Sequence, residues 1–82
     1  MSLITIFDIT FKGIDYQKYE CITFVYGFLE NSNDARFFKF KVGEYGMMLQ
    51  GKNVLENEGI FFVKVLIRNQ VFWLDHKKIK VI

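Results

Sequence analysis

The chain is 82 residues long, has a net charge of +2, and carries ten Phe, four Tyr and one Trp with no Pro. Its single cysteine excludes an internal disulfide, and no Cys/His spacing supplies the four ligands of a structural zinc, so apolar packing must hold the fold. A charge this small does not by itself argue for a nucleic-acid or acidic partner.

A chain rich in Phe, Ile, Val and Tyr and nearly free of Ala favours strands, because flat and branched side chains suit a pleated, half-buried surface. No repeat, linker or low-complexity stretch divides it, so residues 1–82 are read as a single β-rich domain. The opening Met1-Ser2-Leu3-Ile4 lacks a basic stretch and Asp8 interrupts the apolar run, so no secretory leader is expected. No run of apolar residues is long enough to span a bilayer, and the lone cysteine points to the cytoplasm. Few Ala, no Pro and many Lys, Asn, Ile and Phe fit an AT-rich coding sequence, as in a low-GC bacterium or a phage.

Residues 3–11, LITIFDITF, predict a first strand with Leu3, Thr5, Phe7, Ile9 and Phe11 on one face and Ile4, Ile6, Asp8 and Thr10 on the other. KGID at 12–15 is a turn around Gly13. YECITFVYGFL at 19–29 is the next strand, although Tyr16, Tyr19 and Ile22 also fit a short helix near residues 15–22. ENSNDA at 30–35 is a loop whose side chains bond their own backbone. RFFKFKV at 36–42 alternates Phe38, Phe40 and Val42 with Phe37, Lys39 and Lys41, the two-residue period of a strand with one buried face. GEYG at 43–46 turns, MMLQ at 47–50 is a short strand, and GKNVLENEG at 51–59 is a polar excursion. Residues 60–67 alternate Phe61, Val63, Val65 and Ile67 with Ile60, Phe62, Lys64 and Leu66. RNQ at 68–70 turns the chain, 71–74 returns, DHKK at 75–78 makes one turn, and 79–82 ends it. Seven short strands with polar turns predict a mostly β fold, a small antiparallel barrel or sandwich.

The stretches VGEYG at 42–46, GIFFVKVLI at 59–67, VFWL at 71–74 and IKVI at 79–82 resemble small SH3-like β-barrels of bacterial and phage type. In that class a strand ending in Trp is followed by one helical turn and a last short strand, a part FWLDHKKIKVI plays here, with Trp73 before the turn. The resemblance covers about half the chain, while the N-terminal forty residues add strands a minimal barrel does not need. It implies a module that binds a peptide, a nucleic acid or a protein surface, and no catalysis.

The residues themselves point the same way. His76 is the only histidine, and neither Ser2 nor Ser32 sits in a glycine-framed elbow, so no hydrolytic triad is read. Cys21 has the strand parity of a small core residue, and Asp75-His76 reads as a solvated pair. Glu56 and Glu58 lie in a polar loop without an apolar pocket, and GEYG lacks the lysine and hydroxyl of a phosphate loop. The chain is therefore read as a non-enzyme without catalytic residues, cofactor or metal.

Two surfaces remain as candidates. Hydrophobic residues make up 51% of the sequence, more than so small a domain can enclose. Some of Tyr19, Tyr26, Phe37, Tyr45, Phe62, Phe72 and Trp73 are thus expected to stay exposed. Phe37, Tyr45, Phe62 and Trp73 are the candidate anchors for a protein partner, here a host protein if the chain is phage-encoded, or for a second copy in a homo-oligomer. Charge is distributed unevenly. Residues 1–35 carry Lys12 and Lys18 against Asp8, Asp15, Glu20, Glu30 and Asp34, a balance of −3. Residues 59–82 carry Lys64, Arg68, Lys77, Lys78 and Lys80 against Asp75, a balance of +4. The alternative is therefore a nucleic-acid-binding barrel using Arg36, Lys39, Lys41, Lys64, Arg68, Lys77 and Lys78, with lysines interleaved among aromatic rings.

Overall fold

Apolar alternation becomes strand along most of the chain. The computed structural model describes residues 2–51 and 54–82. Met1, and Lys52 and Asn53 of the predicted polar excursion, lie outside the described residues. The strands are β1 (Ser2–Ile6), β2 (Ile22–Leu29), β3 (Arg36–Lys41), β4 (Tyr45–Met48), β5 (Val54–Asn57), β6 (Ile60–Ile67), β7 (Gln70–Asp75) and β8 (Ile79–Val81), with 3-10 turns at Ile9–Phe11 and His76–Lys78. Among the described residues no helix is long and apolar enough to cross a membrane.

All pairings are antiparallel, in the order β3-β2-β7-β6-β4-β1-β8. The second edge of β6 is shared. Its first half pairs with β5, from Asn57↔Ile60 to Val54↔Val63, and its second half with β4 through Met47↔Leu66 and Met48↔Val65. The mostly antiparallel β reading holds, but the sheet is open rather than a closed barrel, with β3 and β8 as its ends. The chain leaving β3 is tied to the end of β1. Gly43 N–H donates to the Ile6 carbonyl at 2.8 Å, and Ile6 N–H donates to the Glu44 carbonyl at 2.9 Å.

The inner face is the core. Ile4 and Ile6 of β1, Val25 of β2, Phe40 of β3, Val63, Val65 and Ile67 of β6, and Phe72 and Leu74 of β7 form one buried cluster. Each such side chain contributes about 1.5–3 kcal/mol of transfer free energy. Phe72 meets Phe38 and Phe40 edge-on, at centroid distances of 5.1 and 5.5 Å. Gly27 lets β2 and β7 approach this closely, since a Cβ there would lie 2.0 Å from the Trp73 carbonyl oxygen.

Four local expectations change. The first strand stops at Ile6 rather than running to residue 11, because the Asp8 carboxylate accepts from Thr10 N–H and starts a 3-10 turn. The short helix near 15–22 reduces to one turn, in which Lys18 and Tyr19 N–H donate to the Asp15 carbonyl. The second strand therefore starts at Ile22, where branched residues begin. The polar excursion contains an eighth strand, β5, because Glu58 (φ 53°) and Gly59 (φ 80°) make a two-residue hairpin turn onto β6. Arg68 (φ 54°) and Asn69 (φ 62°) make the same kind of turn between β6 and β7.

Candidate functional site

The outer face of the sheet carries the aromatic surplus. On β2, Phe24, Tyr26 and Phe28 point away from buried Thr23 and Val25, as the two-residue period requires. Cross-strand register sets Phe24 opposite Lys39, Tyr26 opposite Phe37, and Phe28 opposite Trp73. The rings form a continuous run. Phe37 lies 5.1 Å from Tyr26, Tyr26 lies 6.1 Å from Phe62, Phe62 lies 5.4 Å from Phe28, and Phe28 stacks on Trp73 at 6.3 Å. Phe24 is 57% exposed and Phe37 66%.

Where this run meets the β5–β6 hairpin and the loop at 30–35, the surface opens into a groove of about 410 Å³. Tyr26, Phe28 and Phe62 give it aromatic lining, Leu55 and Ile60 aliphatic lining, and Asn33, Asn57 and Glu58 a polar margin.

The four predicted anchors separate. Phe37 and Trp73 belong to the run, with Phe37 exposed and Trp73 half-buried. Phe62 is only 2% exposed, which corrects its reading as a contact residue. Tyr26 and Phe28 pack against its ring, so it underlies them. Tyr45 is 65% exposed but sits on β4 opposite Thr5, across β6 from the run. Phe24 and Phe28 were not singled out from the sequence. Their shared parity with Tyr26 was the available signal, but both faces of β2 are apolar and parity alone does not say which is covered.

The seven candidate cations separate too. Lys64 pairs with Glu30 at 2.6 Å, and Lys78 with Asp8 at 2.6 Å. Arg68 grips Glu44 with two nitrogens, at 2.6 and 2.7 Å, and also donates to the Lys39 carbonyl at the free edge of β3. The Glu44 hydrogen bonds raise the Arg68 pKa above its ordinary value. Arg36 lies over the Phe38 ring at 5.2 Å. Among the described residues Arg36, Lys39, Lys41 and Lys77 are in no ion pair.

A buried polar cluster lies elsewhere. Asp8 is 7% exposed and Thr23 3%. Thr23 Oγ1 donates to Asp8 at 2.5 Å, and Lys78 Nζ reaches both Asp8 (2.6 Å) and Thr23 Oγ1 (3.0 Å). The Lys78 ammonium, then the Thr23 hydroxyl, hold the Asp8 carboxyl well below the usual carboxylate range against the opposing effect of burial. This cluster ties the end of β1, the start of β2 and the second 3-10 turn together. Its hydrogen bonds join residues 15 and 70 positions apart in the chain.

Cys21 is buried, and the His76 ring sits edge-on to Phe61, with Nδ1 3.2 Å from the Phe61 carbonyl oxygen. Among the described residues no three His, Cys or carboxylate side chains gather as a cation site. Comparison with family models, with curated proteins and with solved structures finds no match to this chain.

Proposed function

We propose that this chain is a non-enzymatic interaction module that docks a protein partner on the outer face of its sheet. The observation that carries the reading is the aromatic outer face, where exposed Phe24 and Phe37 stand beside half-buried Tyr26, Phe28 and Trp73 packed over the buried Phe62 ring. Contiguous exposed aromatic surface is costly in water and is what protein contacts are built from. The SH3-like resemblance of the sequence leads to the same reading by analogy, since modules of that class bind peptides, nucleic acids or protein surfaces. On that reading the module works in the cytoplasm, and a phage-encoded copy would engage a host protein. A second copy of the chain is the competing occupant, and sedimentation of a concentration-independent monomer would remove it.

Nucleic acid is the second reading, favoured by Lys39 standing directly across from exposed Phe24. It is the weaker one, because Lys64, Arg68 and Lys78 spend their charge on carboxylates of this chain.

The test is capture from a bacterial lysate by the wild-type chain and by a Phe24→Ser/Phe37→Ser variant, with and without nuclease. One stoichiometric protein held by the wild type after nuclease, and lost by the variant, is the expected result. Identical capture by both chains would overturn Phe24 and Phe37 as the contact surface, and loss of every partner on nuclease treatment would overturn the protein-binding reading.

A further inference from the structure

We infer that the groove beside the aromatic run receives an extended peptide segment in which an aliphatic residue is flanked by lysine or arginine. The inference rests on the protein-binding reading and names the chemistry of the segment. Three observations support it.

The first is size and lining. A groove of about 410 Å³ lies at the small end of ligand sites, room for one or two side chains rather than a helix face. Tyr26, Phe28, Leu55 and Ile60 offer it apolar contact. Asn33 and Asn57 stand at its margin. Their side-chain amides both donate and accept, which matches the alternating donors and acceptors of a peptide backbone.

The second is charge. Glu58 lines the groove, and Asp34 lies between two lining residues, Asn33 and Ala35. Among the described residues neither carboxylate is in an ion pair, and no Lys or Arg lines the groove. This acidic margin stands on a chain whose net charge is +2. Glu58 on the β5–β6 hairpin offers its carboxylate to a cation beside the central anchor, and Asp34 on the loop at 30–35 is the chain neighbour of two lining residues.

The third is the aromatic rings. Elsewhere Tyr19, Phe38, Trp73, Phe40 and Phe7 each lie within 6 Å of a Lys or Arg of this chain. Among the described residues none of these cations stands over Tyr26 or Phe28. Rings with a carboxylate beside them and no cation of their own are suited to an incoming one.

The experiment is an NMR titration of the full chain with three acetylated, amidated pentapeptides. Each has a central leucine, flanked by lysines in the first, glutamines in the second and glutamates in the third. The lysine peptide is expected to shift the Leu55 and Ile60 methyls and the Asn33 and Asn57 side-chain amides. It should bind roughly three- to tenfold tighter than the glutamine peptide, and the glutamate peptide weakest of all. Asp34→Asn/Glu58→Asn should bring lysine and glutamine peptides within about twofold, with an unchanged melting temperature, since Asn tolerates the left-handed backbone at residue 58. Leu55→Thr should weaken all three peptides while keeping β5.

Equal binding of the three peptides in the groove would overturn the charge assignment and leave the protein-binding reading standing. Shifts confined to other surfaces, or none at millimolar peptide, would overturn the groove as a peptide site. The lysate capture with the Phe24 and Phe37 variant decides the broader reading separately, because neither residue lines the groove.

Discussion

Phe24 and Val25 are neighbours in sequence and opposites in environment. Val25 is fully buried against the core, whereas Phe24 is 57% exposed on the other side of the same strand. The contrast extends over the sheet. On the inner face β1, β4 and β8 curl round to cover the apolar residues of β2, β6 and β7. The outer face has comparable side chains, and among the described residues no further strand or helix is layered over it. A single curved sheet of this length fills only one side of itself, and domains normally cover both apolar faces of a sheet. The uncovered rings are therefore either a liability or a surface in use. Lys39 and Lys41 on the end strand β3 limit the liability, since charge on an exposed edge opposes pairing with other chains. They do not remove the apolar area of Phe24 and Phe37.

The sharpest way to break this contrast is to truncate one residue on each face. Leu74 is fully buried, so Leu74→Ala should cost about 3 kcal/mol in denaturant unfolding, through lost transfer energy plus a residual cavity. A loss below about 1 kcal/mol would mean that the inner face is loosely packed and the two faces are less different than described.

The Asp8 cluster sharpens the comparison from the polar side. Asp8→Asn keeps the shape but leaves the Lys78 ammonium facing a neutral amide, at an expected cost of about 2–3 kcal/mol at neutral pH. The Asp8 carboxyl ionises below its ordinary range in the folded state. Its contribution is therefore fully present above about pH 4, the unfolded value, and is lost as the pH falls below that. The stability gap between wild type and Asp8→Asn should narrow steadily in acid. A gap that is the same at pH 7 and pH 3 would mean that shape, not charge, is what the carboxylate supplies.

Much of the inner face was legible in the sequence. The alternation in 36–42 put Phe40 and Val42 on the buried face, and parity grouped Val63 with Val65 and Ile67 and grouped Ile4 with Ile6 and Asp8, but which of the two apolar faces turns inward in those two strands is decided by the fold. That the sheet stays open was not legible, because closure depends on how far the whole sheet coils. The Asp8–Thr23–Lys78 cluster was hidden for the same reason, since its members lie 15 and 70 positions apart. β5 was missed because Val54 and Leu55 stand alone among polar residues, and only the hairpin turn at Glu58 and Gly59 pairs them with β6. The aromatic excess of the outer face was readable as a quantity. Which rings stay exposed was not, since parity alone does not separate buried Phe62 from exposed Phe24.

The smallest effect is expected where the proposed binding face is most exposed. Phe24→Ser/Phe37→Ser removes two large rings, yet each is more than half in water already and neither belongs to the core cluster. Exposed substitutions away from caps and strained backbone usually stay within about 0.5 kcal/mol. Here Phe37 also touches Tyr26 at 5.1 Å, and an aromatic pair of this kind is worth about 0.5–1.5 kcal/mol when well covered. Serine is also a poorer strand residue than Phe, so the double variant should lose at most about 1–1.5 kcal/mol and gain solubility. If it instead lost as much as Leu74→Ala, the two rings would be structural and the outer face would be part of the fold. A small loss of stability together with a complete loss of partner capture separates a surface kept for binding from one kept for folding.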